Sequence, residues 1–334
     1  MSRSPIENWF RLLSACTIVV LVAVLVAATA VSTIKPVLDR DFADPMVLTV
    51  GSTYYAYSTA SGYGNQFWHV PVQRAADPTG DWTALGDAMP ALPPWAARDR
   101  NGNANFTAPE VAPRGDGGYV LYFVAVAAAQ RVQCIGTALA NSPAGPFQPT
   151  PGPLVCQPGP VDSIDPQAFT DSDGKRYLLY TSGQRQAVIW LQPVTTDGLN
   201  LAGPRLQLIQ ADRPEEANIV EAPSLVKHGS EYVLFYSGNT FNSGNYFVNY
   251  ATAPSLAGPF AKHPGEFLNR DDLGGAYTNP GGACALVGGA HDDLVFHASA
   301  GPRRRAMFVA GLSWDATGQP VVDVNNGLTR RYAP

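Results

Sequence analysis

The sequence predicts an all-β chain, a five-bladed β-propeller preceded by an N-terminal apolar signal or anchor segment. Three observations carry that expectation. A short proline-bounded signal recurs five times at intervals of roughly 55 to 65 residues, a period typical of repeat architectures. The signals are Ala43-Asp44-Pro45, Ala108-Pro109-Glu110, Ile164-Asp165-Pro166, Glu221-Ala222-Pro223 and Asn279-Pro280-Gly281. An aromatic or aliphatic β run follows each: Tyr54-Tyr55-Ala56-Tyr57, Tyr119-Val120-Leu121-Tyr122, Tyr177-Leu178-Leu179-Tyr180, Tyr232-Val233-Leu234-Phe235-Tyr236 and Leu294-Val295-Phe296-His297. No helical pattern separates the runs, which points to propeller blades.

Residues 1–35 read as a targeting segment and residues 36–334 as one propeller domain. Arg3 and Arg11 precede an apolar stretch from Leu12 to Val31, and Ala28-Thr29-Ala30 offers a small-x-small cleavage site. About twenty apolar residues also suffice to span a bilayer, so a cleaved signal peptide and an uncleaved anchor both stand. Either places the propeller outside the cytoplasm, secreted or tethered to the outer face of the plasma membrane. Only this segment is expected to meet the membrane.

The 334 residues are 46% hydrophobic and 15% charged, with 32 Gly and 29 Pro, which suits one large all-β domain. A net charge of −5 argues against nucleic acid, whose binding rests on phosphate neutralisation. The run Arg303-Arg304-Arg305 is read as a solvated face. Low charge with many Tyr, Trp, Asn and Gln is compatible with a neutral polar ligand such as a sugar.

Each unit reads as three or four short strands separated by Gly, Pro, Asn and Asp turns. In the third, Asp165 to Thr170 forms a strand, Asp171-Ser172-Asp173-Gly174 a turn and Arg176 to Thr181 the return. Ser182 stands where a calcium loop needs its twelfth-position Glu, so the turn is a hairpin. Asn141-Ser142-Pro143-Ala144-Gly145-Pro146-Phe147 is echoed by Pro254-Ser255-Leu256-Ala257-Gly258-Pro259-Phe260, each ending a unit, with Leu201-Ala202-Gly203-Pro204 a fainter copy. Beyond the targeting segment lie Cys134, Cys156 and Cys284, without zinc-ligand spacing. In an oxidising compartment Cys134 and Cys156 are expected to pair, leaving Cys284 as a buried thiol.

Glycosidic hydrolysis needs a protonated carboxyl to help the leaving oxygen depart and an ionised one on the other side of the sugar. A third carboxylate nearby can raise the pKa of the acid. Asp44, Asp165 and Glu221, from three different units, can supply such a set at a propeller axis. An Asp beside Pro is also a common turn initiator. The apolar flanks Phe42, Met46, Val47, Ile164, Ala168, Ile219 and Val220 would nevertheless bury the neighbouring backbone, and a carboxylate inside apolar sequence needs a reason.

The ordered motifs Phe42-Ala43-Asp44-Pro45, Thr107-Ala108-Pro109-Glu110-Val111-Ala112, Ser163-Ile164-Asp165-Pro166 and Asn218-Ile219-Val220-Glu221-Ala222-Pro223 together resemble glycoside hydrolase family 43. That family comprises five-bladed inverting arabinofuranosidases, arabinanases and xylosidases. Gln133-Cys134-Ile135-Gly136 and Pro153-Leu154-Val155-Cys156 resemble members active on arabinofuranosides. The resemblance implies Asp44 as general base, Glu221 as general acid and Asp165 as modulator of the acid's pKa. It implies a base and acid roughly 6.5 to 9.5 Å apart. The expected activity is release of terminal α-L-arabinofuranosyl residues from arabinan or another arabinose-containing polysaccharide. β-Xylosidase, galactofuranosidase or a non-catalytic glycan-binding propeller are the alternatives.

An oligo- or polysaccharide is the expected partner, with the chain a monomer and no organic cofactor required. The family's fifth-unit Gly-Pro-Gly-His is replaced here by Asn279-Pro280-Gly281-Gly282. A structural Ca2+ in the central channel, organised through water by His297, remains an expectation of the resemblance. Thr107 stands where relatives usually carry a stacking Trp. Candidate sugar contacts are Phe106, Asn105, Gln167, Trp68, Tyr277 and His297, with Trp95 and Tyr246 also in loops near the motifs.

Overall fold

The computed structural model describes residues 34–183 and 185–325. The predicted signal or anchor stretch lies outside them, and among the described residues no helix is long and apolar enough to cross a membrane. Five four-stranded antiparallel sheets form the propeller, each strand pairing with the next in chain order from the channel outward. The innermost strands are Met46–Val50, Thr107–Pro113, Ser163–Thr170, Val220–His228 and Thr278–Leu286. Each neighbours the innermost strand of the next blade, and the first neighbours the last, so the ring closes. Blade I carries one insertion, the hairpin Ser61–Tyr63 and Gln66–Trp68. One 3-10 turn, Pro214–Glu216, is the described helical element and precedes blade IV.

The middle strands are buried on both faces, so successive side chains point alternately into the gap on either side of the blade. Five of the clusters among the described residues fill one gap each, and a small sixth surrounds Cys134. Tyr57, Val72, Leu121 and Phe123 fill the gap between blades I and II, and Val120, Tyr122, Leu178 and Tyr180 the next. Leu179, Ile189, Leu234 and Tyr236 join blades III and IV. Phe235, Val248, Phe296 and Phe308 join IV and V, while Phe42, Val47, Val295 and Met307 join V back to I. Each fully buried side chain of this size contributes about 1.5–3 kcal/mol.

Ring closure is a pairing of chain ends. The third strand of blade V, Arg305–Trp314, meets the outermost strand Pro320–Asp323 only over Gly311 to Trp314. Its other end takes the segment before blade I. Val37 N–H donates to the Met307 carbonyl at 2.8 Å, Phe42 N–H to the Arg305 carbonyl at 2.8 Å, and Arg305 N–H to Asp41 Oδ1 at 3.0 Å.

The proline signals mark one recurring irregularity. Asp44, Ala108, Asp165, Ala222 and Asn279, each directly before its proline, have φ of 52°, 45°, 54°, 52° and 55°. Non-glycine residues adopt this left-handed region at a cost of order 1–3 kcal/mol, and it recurs where function over-determines it. In blades II to V the inner strand gains one residue on its partner here: Thr107 faces Val124 but Glu110 faces Tyr122, with matching shifts at Ile164/Gln167, Glu221/Ser224 and Thr278/Gly281. Such a bulge re-aims side chains and tolerates a proline, which has no N–H to pair.

The echoed Ser-Pro/Gly-Pro stretches are true structural copies, both turning through a cis Gly-Pro peptide at Gly145-Pro146 and Gly258-Pro259. Asp171 to Gly174 forms the expected hairpin turn, closed by Asp171 N–H to the Lys175 carbonyl at 3.0 Å. Cys134 and Cys156 form the expected disulfide across a sequence separation of 22. Replacing both cysteines with alanine is expected to lower unfolding stability by about 2–4 kcal/mol, read from urea denaturation midpoints. Cys284 is free and only half-buried, on the channel wall, which corrects the expectation of a buried thiol.

Candidate active site

The proline signals bring Asp44, ahead of the first inner strand, and Asp165 and Glu221, at bulges, to one cavity of about 510 Å³ at the channel mouth. Their registers differ. Asp44 and Asp165 are themselves the left-handed residues, whereas Glu221 precedes the left-handed Ala222 by one position. The three carboxylates therefore do not occupy one homologous site of the repeat, and the longer Glu side chain serves the displaced position.

The left-handed residues turn their N–H groups toward the preceding blade, where side chains receive them. Asp44 N–H donates to His297 Nδ1 at 3.1 Å, Ala108 N–H to Thr59 Oγ1 at 3.1 Å, and Ala222 N–H to Asp165 Oδ2 at 3.0 Å. Asp165 thereby grips the backbone beside Glu221. A second tier stitches the blades below: Glu110 Oε1 accepts from Ala168 N–H at 3.0 Å, Gln167 Oε1 from Leu225 N–H at 3.2 Å, and Ser224 Oγ from Ala285 N–H at 3.0 Å.

Asp44 is held by charge. Arg305 Nη1 donates to its Oδ1 at 3.1 Å and Nη2 to its Oδ2 at 3.4 Å, and the Thr59 hydroxyl donates to Oδ2. Burial opposes ionisation of Asp44, but Arg305 foremost among the remaining influences outweighs it and holds the carboxyl below its ordinary value. His297 Nδ1 lies 3.5 Å from Asp44 Oδ1. Burial first, then Arg305, push this imidazole down to about 3, so at neutral pH it is uncharged and Arg305 alone is the counter-ion.

Glu221 meets the opposite environment. Burial pushes it up to about 7 against the lowering effect of a 2.7 Å hydrogen bond from the Tyr246 hydroxyl. Asp165 is raised as well, by burial and then by Glu221 and Asp44. Glu221 and Asp165 titrate as a pair, and the pair retains a proton at neutral pH.

The other sequence candidates divide. Asn105 lines the cavity, exposed. Gln167 also lines it, although its amide is engaged with the Leu225 backbone. Phe106 is buried to 1% exposure in the gap between blades I and II, its ring 4.7 Å from that of Phe123, and is core. Trp68 stacks on Tyr63 at 3.7 Å in the blade I hairpin, and Tyr277 packs edge-on to Phe308; neither lines the cavity. Trp95 stacks on Phe123 in the same core. These aromatics stand near the motifs in sequence but satisfy local packing, which competes for the same residue types.

His297 is fully buried and acts on the Asp44 backbone instead of on a sugar. Its Nδ1 accepts, so its proton sits on Nε2, a buried donor without a partner among the described residues. A donor nitrogen does not ligate a cation, and the described residues contain no group of three or more His, Cys, Asp or Glu able to hold one. These residues do not fit a directly held calcium ion.

Sequence reasoning missed four residues here. Arg305, read as surface, is the counter-ion of Asp44 and only 24% exposed in its side chain. Thr59 bridges Asp44 and Ala108. Phe241 stands at the mouth, 46% exposed, with the Arg305 guanidinium 5.1 Å from its ring centre. Glu110, quoted in a turn signal and a family motif but given no role, is buried on the channel wall and raised by burial to about 8.

The profile of the glycosyl hydrolases family 43 matches residues 33–320. A β-D-galactofuranosidase of Aspergillus niger is 33% identical over 142 residues, covering 41% of this chain and 38% of that relative's length. The extracellular exo-α-(1→5)-L-arabinofuranosidase of Cellvibrio japonicus is 24% identical, covering 85% of this chain and 86% of its own. The crystal structure of a thermostable family-43 glycoside hydrolase superposes with a TM-score of 0.72 at 25% identity, covering 84% of this chain and 92% of that one. With the propeller and the carboxylate-lined cavity in place, the chain belongs to the glycosyl hydrolases family 43 and is an inverting glycoside hydrolase.

Proposed function

We propose that the enzyme releases terminal α-L-arabinofuranosyl residues from arabinan or another arabinose-containing polysaccharide. Asp44 activates a water, Glu221 protonates the departing oxygen, and Asp165 orients Glu221 and keeps its pKa high. The observation that carries this reading is opposite tuning within one cavity: Asp44 is lowered beside Arg305 while Glu221 is raised to about 7. An ionised base and a protonated acid at the same pH are what single-step displacement by water requires. Each step is assigned to a side chain of this protein and one water. Phe241 and Asn105 at the mouth offer an apolar face and hydroxyl-binding groups to the sugar.

Arabinofuranosyl specificity is supported by the Cellvibrio japonicus relative, which covers most of the chain. Galactofuranoside is the second reading, favoured by the higher local identity to the Aspergillus niger enzyme. The extracellular relative and the residue 1–35 segment together support export, with secretion and tethering both compatible. Monomeric action fits a cavity built from residues of one chain.

Aryl α-L-arabinofuranoside, β-xyloside and galactofuranoside substrates test the assignment. Fastest turnover is expected on the arabinofuranoside, with proton NMR showing the inverted anomer as first product. Faster galactofuranoside turnover would reassign the sugar. Binding of arabinan with no release from any substrate would reduce the protein to a glycan-binding propeller.

A further inference from the structure

The fifth blade supplies no carboxylate to the cavity, yet its Asn279-Pro280-Gly281-Gly282 turn touches the supports of both catalytic groups. A Cβ at Gly281 would fall 1.8 Å from the Tyr246 ring, and one at Gly282 would fall 2.7 Å from His297 Nδ1. The two glycines make room for the side chains that hold Glu221 and the Asp44 backbone. Asn279 Oδ1 accepts from Gly244 N–H at 2.7 Å and from Tyr246 N–H at 3.5 Å, which fixes the loop carrying Tyr246. Ser237, fully buried, accepts from Gly282 N–H at 3.0 Å. The Tyr246 phenol then donates to Glu221 Oε1 at 2.7 Å.

We propose that Tyr246, held by Asn279 and by the space Gly281 leaves for its ring, is a positioning residue that dictates which oxygen of Glu221 delivers its proton. This rests on Glu221 being the general acid. Because the phenol donates to Oε1, that oxygen must accept, and the transferable proton resides on Oε2. As the proton passes from Oε2 to the departing glycosidic oxygen, the C–O bond breaks and Glu221 becomes a carboxylate. The hydrogen bond from Tyr246 then becomes charge-assisted and stabilises the developing anion. The groups facing Glu221 are Asp165 from blade III, Asp44 and Arg305 across the ring closure, and Tyr246. Among them, Tyr246 is the neutral donor on its oxygen. The other aromatic neighbour, His297, lies 6.0 Å from the Tyr246 ring and serves Asp44.

Tyr246→Phe removes the hydroxyl and keeps the ring against Gly281. Two leaving groups are compared in full-length enzyme: an arabino-oligosaccharide, whose departing oxygen needs protonation, and a dinitrophenyl arabinofuranoside, whose departing oxygen does not. The loss in kcat on the oligosaccharide is expected to exceed that on the dinitrophenyl substrate by about tenfold, a fraction of the roughly 10²–10⁴-fold that the general acid itself supplies. The loss should fall on kcat more than on KM, and the upper limb of the pH profile should move upward by about one unit, since a hydrogen bond to the ionised form is gone.

Equal losses on both substrates, or an unmoved limb, would overturn the inference and leave Tyr246 a packing residue. Carbon-13 NMR titration of the side-chain carboxyls reads the Glu221 shift without turnover. A shift in that titration alongside wild-type enzyme inert on every glycoside would retain the Tyr246–Glu221 coupling but overturn the catalytic proposal with the hydrolase reading. No shift in the titration would overturn the coupling itself. Gly281→Ala, which drives a methyl group into the Tyr246 ring, should reproduce the leaving-group discrimination if it folds; Tyr246→Phe decides the matter if it does not.

Discussion

Glu221→Gln is expected to lower kcat on an arabino-oligosaccharide by about 10²–10⁴-fold, the range that a positioned general acid supplies. Glutamine retains the shape and can still accept from Tyr246, but it has no proton to transfer. In the wild-type enzyme the Glu221–Asp165 pair is raised by burial, with Glu221 near 7, so activity requiring the protonated acid should persist below that pH and fall as pH rises through it. The variant should lose this upper limb altogether. Sugar binding measured by calorimetry should survive, because the change removes a proton and not a wall of the cavity. A variant that turns over the oligosaccharide at near wild-type rate would remove Glu221 from the acid role.

Asp44→Asn should be as damaging for a different reason. The base is needed whatever the leaving group, so turnover should collapse on the oligosaccharide and on an activated aryl glycoside alike. Asparagine suits the position because it tolerates the left-handed backbone that Asp44 adopts at φ 52°. Azide, which attacks without first losing a proton, should restore turnover of the aryl substrate and yield the inverted glycosyl azide. Arg305 loses its carboxylate partner in this variant, so thermal unfolding should be recorded beside the kinetics to separate a lost base from a lost fold. The same pair predicts a low acid limb in the wild-type pH profile: Asp44 is lowered, so it should stay ionised to a lower pH than an ordinary Asp. Full activity of Asp44→Asn on both substrates would refute the assignment.

The fold was legible because the proline signals are physical events. Each marks a left-handed residue, and in blades II to V a bulge as well, and that geometry needs a distinctive local sequence. Asp44 and Asp165 could be read from their place beside those prolines. Glu221 was grouped with them and lines the same cavity, although its register differs by one residue, a shift that strand alternation alone does not reveal. Arg305 was hidden because a run of three arginines has the pattern of a solvated face; only the pairing of Phe42 N–H with its carbonyl turns the third one inward. Phe106 and Tyr277 were misplaced because an aromatic residue near a motif serves equally well as filling between blades. Glu110 escaped attention because its carboxyl is neutral by burial and makes its contact with a backbone amide on a strand 58 residues away.

The wheel's seam also sets when the enzyme can first work. Asp44 and its guanidinium partner are separated by 261 positions, and the histidine that receives the Asp44 amide comes 253 positions after it. A growing polypeptide still short of Arg305 already holds Asp165 and Glu221 but lacks the guanidinium that lowers Asp44. With Asp44 as the proposed base, catalytic competence is expected only late in synthesis, when the last repeat docks onto the first.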